Sequence, residues 1–175
     1  MPQPKRLFFA LEIPAAIQQQ IVRWRAEQFP YEAGRPVTAA NLHITLAFLG
    51  DVSEEKQRLL VAQAGRISQP HFTLRLDDAG HWPRSRVVWL GPRQAPRGLL
   101  QLANLLRAQA ARSGCAQSPQ PFHPHVTLLR NAQHRVALPP PGFGWDFPVK
   151  TFVLYESLFE QGRTRYQLVD RWLLQ

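Results

Sequence analysis

Two short stretches of the chain carry the same chemistry in the same order. One reads Asn41-Leu42-His43-Ile44-Thr45-Leu46-Ala47-Phe48-Leu49-Gly50, the other Phe122-His123-Pro124-His125-Val126-Thr127-Leu128-Leu129-Arg130. Each holds a histidine, a β-branched apolar residue, a threonine and a leucine. Along a strand, side chains alternate faces and residues two apart share one. His43 and Thr45 then share a face, with Ile44, Leu46 and Phe48 on the other. His125 and Thr127 repeat the pattern against Val126 and Leu128. A lone His beside a Thr is commonly a structural hydrogen-bonded pair. A core has no use for two matched imidazole–hydroxyl faces.

Such a pair suits displacement at a phosphodiester. That reaction needs a base for the incoming oxygen and an acid for the leaving one, on opposite sides of phosphorus. Histidine serves in either role because its ordinary pKa is about 6.5. The threonine hydroxyls would donate to the non-bridging oxygens, where negative charge accumulates.

The elements around these strands are arranged twice over. Leu7 to Ile13 reads as a buried strand, Pro14 as the first residue of a helix reaching about Phe29, residues 31–41 as a loop and His43 to Leu49 as a strand. Val87 to Leu90 is again a strand, Pro96 opens a helix with the stripe Leu99, Leu102, Leu105 and Leu106, and His125 to Leu129 is a strand. Leu7 lies 36 residues before His43 and Val87 lies 38 before His125. Strand, proline-started helix, loop and histidine strand thus recur as an internal duplication. Ser53 is a fair N-cap for a helix to about Ile67, and Phe72 to Leu76 alternates as a strand. Residues 131–148 are rich in Pro and Gly and read as a long loop. Thr151 to Glu160 and Arg165 to Leu174 read as two strands about a Gln161-Gly162 turn.

Composition narrows the partners. The 175 residues carry 21 Lys plus Arg against 12 Asp plus Glu, a formal charge of +9, and 18 of the 21 cations are arginine. Arginine pairs with phosphate through a planar fork and stacks on bases, so the partner expected is a polyanion such as RNA or DNA. The single cysteine, Cys115, excludes an intramolecular disulfide and a Cys-rich zinc site, and reads as a small buried residue. The opening from Met1 to Arg6 leads into an apolar run too short for a signal peptide, and no window approaches a membrane span. The expectation is a cytoplasmic protein.

The two His-x-Thr-Leu strands, 125 − 43 = 82 residues apart, the opening Arg6-Leu7-Phe8-Phe9-Ala10-Leu11, the Arg130 after the second motif and the Tyr155-Glu156-Ser157 to Tyr166 region together resemble the 2H phosphoesterase superfamily, and within it the bacterial RNA 2′,3′-cyclic phosphodiesterases, or 2′-5′ RNA ligases. The resemblance covers nearly the whole chain. It implies an α+β fold: one two-lobed domain over residues 1–175, duplicated about a pseudo-twofold, with two antiparallel sheets lining a V-shaped cleft and helices outside. It implies hydrolysis of a 2′,3′-cyclic phosphate to a 2′-phosphate, and nucleotide-independent joining of RNA ends through a 2′-5′ bond. The chain has no Gly-x-x-x-x-Gly-Lys-Ser/Thr loop. The implied catalytic residues are His43, Thr45, His125 and Thr127, with His43 as acid and His125 as base. Neither metal nor cofactor is implied. The implied partners are RNA with cyclic phosphate ends, tRNA fragments among them, or small cyclic nucleotides, with the protein a monomer.

Other residues divide between two roles. Arg130 can pair with a phosphate or stack on a base. Alternation sends Phe48 to the core, whereas the resemblance sets an aromatic near the nucleobase. Arg163 and Arg165 can extend an RNA path or guard an edge strand. His71, His81 and His134 have no evident partners. A different class of function, a basic RNA-binding module without catalysis, needs no paired His–Thr faces. A metal-dependent phosphoesterase would rest on His123 and His125, but Pro124 separates them and no carboxylate or thiol stands nearby in sequence.

Overall fold

The computed structural model describes residues 3–175; Met1 and Pro2, part of the opening considered above, lie outside the described residues. The apolar run after Arg6 becomes β1 (Lys5–Glu12). Leu7, Phe9 and Leu11 enter the main core, while Phe8 and Ala10 form a small second cluster with Val153, flanked by Tyr155 and Tyr166. The strand is therefore apolar on both faces, as a central strand must be. Pro14 is the N-cap of α1 (Ala15–Gln28) rather than its first helical residue. Residues 31–41 hold two 3-10 turns and a two-residue strand, β2 (Arg35–Pro36).

Next come β3 (His43–Val52) and α2 (Glu54–Ala64), capped by Ser53, whose hydroxyl accepts from the Lys56 N–H at 3.2 Å. The later elements are β4 (Phe72–Leu76), β5 (Asp78–Trp82), β6 (Val87–Gly91), α3 (Arg97–Arg112), β7 (Val126–Arg130), β8 (Trp145–Val149), β9 (Thr151–Glu160) and β10 (Arg163–Leu173). Besides the two-residue β2, the strands β5 and β8 escape the sequence reading. Gly80 interrupts the pattern of β5, and β8 ends a Pro-rich stretch and itself contains Pro148. A proline is tolerated there because β8 pairs only with β4, in a two-stranded ribbon with a free edge on each strand. Gln161 and Gly162 both have positive φ, 53° and 74°, as a two-residue hairpin turn requires.

All strand pairs are antiparallel. The large sheet runs β10-β9-β1-β3-β7-β6-β5, with β2 also paired to β7. It consists of two arms, β10-β9-β1-β3 and β7-β6-β5, one for each copy of the duplicated unit. The arms meet through a single bridged pair, Ile44 and Val126, both fully buried. Helices cover one face of this sheet and leave the other open. The arms are also tied across: α3 packs on β3, and the buried Arg25 of α1 donates to the carbonyls of Val37 (2.6 Å) and Leu128 (3.2 Å), the latter in β7.

β3 does not keep simple alternation. Against β1, Phe9 pairs with Ala47 but Ala10 with Thr45, so Leu46 is an extra residue. Leu46 and Ala47 are consecutively buried and the phase reverses. Phe48 is thereby turned to the open face, 45% exposed, with His43 and Thr45. The core position expected from alternation is corrected by this bulge. In the other arm, Gly80 lies opposite Trp89 in β6, and a methyl group there would enter the Trp89 indole. Gly80→Ala should destabilise the fold by about 1–3 kcal/mol as an overpacked site. The check is the urea midpoint, which should fall at unchanged slope.

Candidate active site

The open face around the β3–β7 seam forms a cleft of about 380 Å³. All six residues selected from the sequence line it: His43, Thr45 and Phe48 of β3, His125 just before β7, and Thr127 and Arg130 within it. The seam explains their meeting. In an antiparallel pair, one step forward on one strand faces one step back on the other. With Ile44 beside Val126, Thr45 is brought towards His125 and His43 towards Thr127. The bridged pair is thus a local twofold that crosses each imidazole with the other copy's hydroxyl strand.

Each ring is set by the same backbone device. His43 Nδ1 lies 2.8 Å from the Asn41 carbonyl oxygen, and His125 Nδ1 2.8 Å from that of His123. A carbonyl only accepts, so Nδ1 carries the hydrogen and Nε2 is left for chemistry. The copies then differ. Thr45 Oγ1 is 2.8 Å from His43 Nε2 and donates to it in this tautomer. Among the described residues no matching bond joins Thr127 to His125.

Aromatic side chains from neighbouring strands wall in both rings. Phe8 and Tyr166 stand 5.1 and 5.0 Å from His43 between ring centroids, Tyr166 edge-on. Trp82 meets His125 edge-on at 4.7 Å, and both Trp82 and Trp89 pack edge-on against His123. Burial pushes the His43 imidazole down to about 4. The Asn41 bond opposes this shift, and the Arg130 and His125 charges add to it. Burial also lowers His125, opposed by the His123 carbonyl and reinforced by the His123 and Arg130 charges. Both shifts favour the neutral imidazole at pH 7 in the free cleft.

Sequence reasoning missed Arg6, Phe8, Ser157, Thr164 and Tyr166, which complete the lining. Arg6 lies over the Phe48 ring at 4.8 Å. Alternation along β1 would have placed Arg6 and Phe8 together, but not beside His43. His123 and His125 have ring centroids 6.3 Å apart, and His123 is packed against indoles and absent from the lining. Among the described residues no three His, Cys, Asp or Glu side chains gather to hold a metal ion. His81 bonds the Ala132 carbonyl at 3.0 Å, Arg165 pairs with Glu160, and Cys115 is buried. A second cleft of about 440 Å³, between the start of α1 and β9, contains Glu12 and Lys150 but no histidine.

The family model for the 2′-5′ RNA ligase superfamily matches residues 13–140. The chain belongs to this superfamily. It is 65% identical to the RNA 2′,3′-cyclic phosphodiesterase of Escherichia coli K12, covering 99% of both chains. The crystal structure of E. coli LigT complexed with 3′-AMP superposes with a TM-score of 0.95 at 65% identity, covering 98% of each chain. That complexed with phosphate gives 0.92 at 61%, covering 99% of each. The α+β fold with antiparallel sheets is the one expected. No helix among the described residues is long and apolar enough to cross a membrane.

In this superfamily member the cleft presents two imidazoles held towards the neutral form, beside Arg130 and with no carboxylate in its lining. An oxyanion entering it offsets the Arg130 charge and favours protonation of either ring. Sulfate, which does not titrate here, should therefore bind more tightly as pH falls from 7 towards 5, by up to about tenfold per unit for each proton taken up. Titration calorimetry in buffers of differing ionisation heat should detect that uptake, and the His43→Asn/His125→Asn double variant should lose it.

Proposed function

We propose that the chain opens the 2′,3′-cyclic phosphate at RNA 3′ ends to a 2′-phosphomonoester, with His43, Thr45, His125 and Thr127 as the catalytic residues. The observation that carries this is the pair of imidazoles, each with Nδ1 tied to a backbone carbonyl and Nε2 turned to the cleft side, that of His43 accepting from Thr45, set about one bridged residue pair. The E. coli relative named an RNA 2′,3′-cyclic phosphodiesterase supports the reaction class.

In this scheme His125 Nε2 takes a proton from water as its oxygen attacks phosphorus. The bond to O3′ breaks, and His43 Nε2 gives O3′ its proton. Burial works against the acid role of His43 until the phosphate anion enters and favours the imidazolium. Once protonated, His43 no longer accepts from Thr45, whose hydroxyl is freed to turn to a non-bridging oxygen beside Thr127. Arg130 adds charge to the same side, and Phe48 offers a face to the terminal base. An RNA 5′-hydroxyl in place of water would give a 2′-5′ linkage by the same proton transfers and without a nucleotide. The protein is read as a cytoplasmic monomer acting on RNA ends, tRNA fragments among them, or on small cyclic nucleotides.

Hydrolysis of a nucleoside 2′,3′-cyclic phosphate should survive EDTA and yield the 2′-isomer; loss on chelation, restored by a divalent ion, would overturn the scheme. The pH–rate profile should be bell-shaped, and alanine at either histidine should cost on the order of 10²–10⁴ in rate. A substrate with a better leaving group at the 3′ position should rescue His43→Ala and not His125→Ala. The opposite rescue would exchange the two roles, and rescue of neither would make both rings phosphate ligands.

A further inference from the structure

The β9–β10 hairpin reaches beyond the catalytic pair. Ser157, Thr164 and Tyr166 line the cleft, so one face of this hairpin is turned towards it. Register places Ser157 opposite Tyr166 and Phe159 opposite Thr164. Phe159 is two residues from Ser157 and directly across from Thr164, so it stands on that same face. It lies one strand repeat of about 7 Å further out. Phe159 is 76% exposed. Arg165 is on the opposite face of the hairpin, where it neutralises Glu160, the acidic neighbour of Phe159.

The hairpin is held in place over the site. Asn41 Nδ2 donates to the Thr164 carbonyl at 2.9 Å, across 123 residues of sequence. The backbone oxygen of the same Asn41 fixes His43. The residue that sets the catalytic ring therefore also sets the strand facing Phe159. An aromatic side chain left in water at the tip of a tethered hairpin, continuous with a phosphate cleft on a chain of net charge +9, fits a nucleobase. Phe48 occupies the equivalent place inside the cleft, beneath Arg6.

We infer that Phe159 is a second stacking platform, which takes the base of the nucleotide preceding the cyclic phosphate end. The protein then distinguishes an RNA chain from a mononucleotide. This rests on the cyclic phosphodiesterase reading above and adds the substrate class to it.

The test compares cytidine 2′,3′-cyclic phosphate with an RNA trinucleotide ending in the same group, using wild type, Phe159→Ala and Phe159→Trp. Stacking worth about 1–3 kcal/mol corresponds to about 5- to 150-fold. Phe159→Ala should lower kcat/KM on the trinucleotide by that factor, mainly through KM, and leave the mononucleotide unchanged. Phe159→Trp should restore the trinucleotide. An equal loss on both substrates would mean that Phe159 acts through the fold, and no loss on either that the base does not reach it; both overturn the inference. If wild type turns over neither substrate, the cyclic phosphodiesterase reading fails instead.

Discussion

The site depends on one contact, the bridged pair of Ile44 and Val126. Among the described residues no other pairing joins β3 to β7; the short β2 also pairs with β7. Because the strands are antiparallel, that pair acts as a twofold point and crosses His43 with Thr127 and Thr45 with His125. Both residues are fully buried, so the seam is anchored from the core side while its neighbours face the cleft. A slip of one residue at the seam would invert which side chains face outward. The crossed ties from Arg25 to β7 and from α3 to β3 oppose such a slip without touching the cleft.

Burial and charge then set the resting state of the site. The rings sit among Phe8, Tyr166 and Trp82, which exclude water and disfavour the imidazolium. Arg130 adds repulsion to both. With no carboxylate lining the cleft to compensate, the positive charge is answered only by a ligand. A phosphate group thus completes the electrostatics of the site. The general basicity of the chain favours the approach of such a ligand at long range.

The duplication is not carried through to identical surroundings. His43 accepts a hydroxyl bond from Thr45, whereas His125 has no such bond among the described residues and meets the Trp82 indole, which also packs with Trp89 against His123. In the proposed scheme the acid and the base hold opposite protonation states at the same moment, and two identical environments would serve them poorly. The bulge, by contrast, is repeated: Leu46 in β3 and Leu128 in β7 are each the extra residue against the neighbouring strand, and the phase reversals turn Phe48 and Arg130 into the cleft.

The sequence by itself determined the chemistry and most of the frame. A histidine and a threonine two residues apart share a face in any strand, and a proline-started helix between two apolar strands is local information. These rest on periodicity and on backbone limits that neighbours do not alter. What the tertiary structure alone decided is what crosses between elements. Phe48 could not be placed because a bulge depends on the partner strand, as the pairing of Ala10 with Thr45 shows. Strand β8 was hidden because Pro148 is acceptable only where the partner makes no demand on its missing N–H. Arg6, Tyr166 and Trp82 could not be placed beside the histidines from sequence because their neighbours are set by strand order and register across the sheet. The depression of both imidazoles follows from burial, a property of the packed molecule that no local pattern of residues contains.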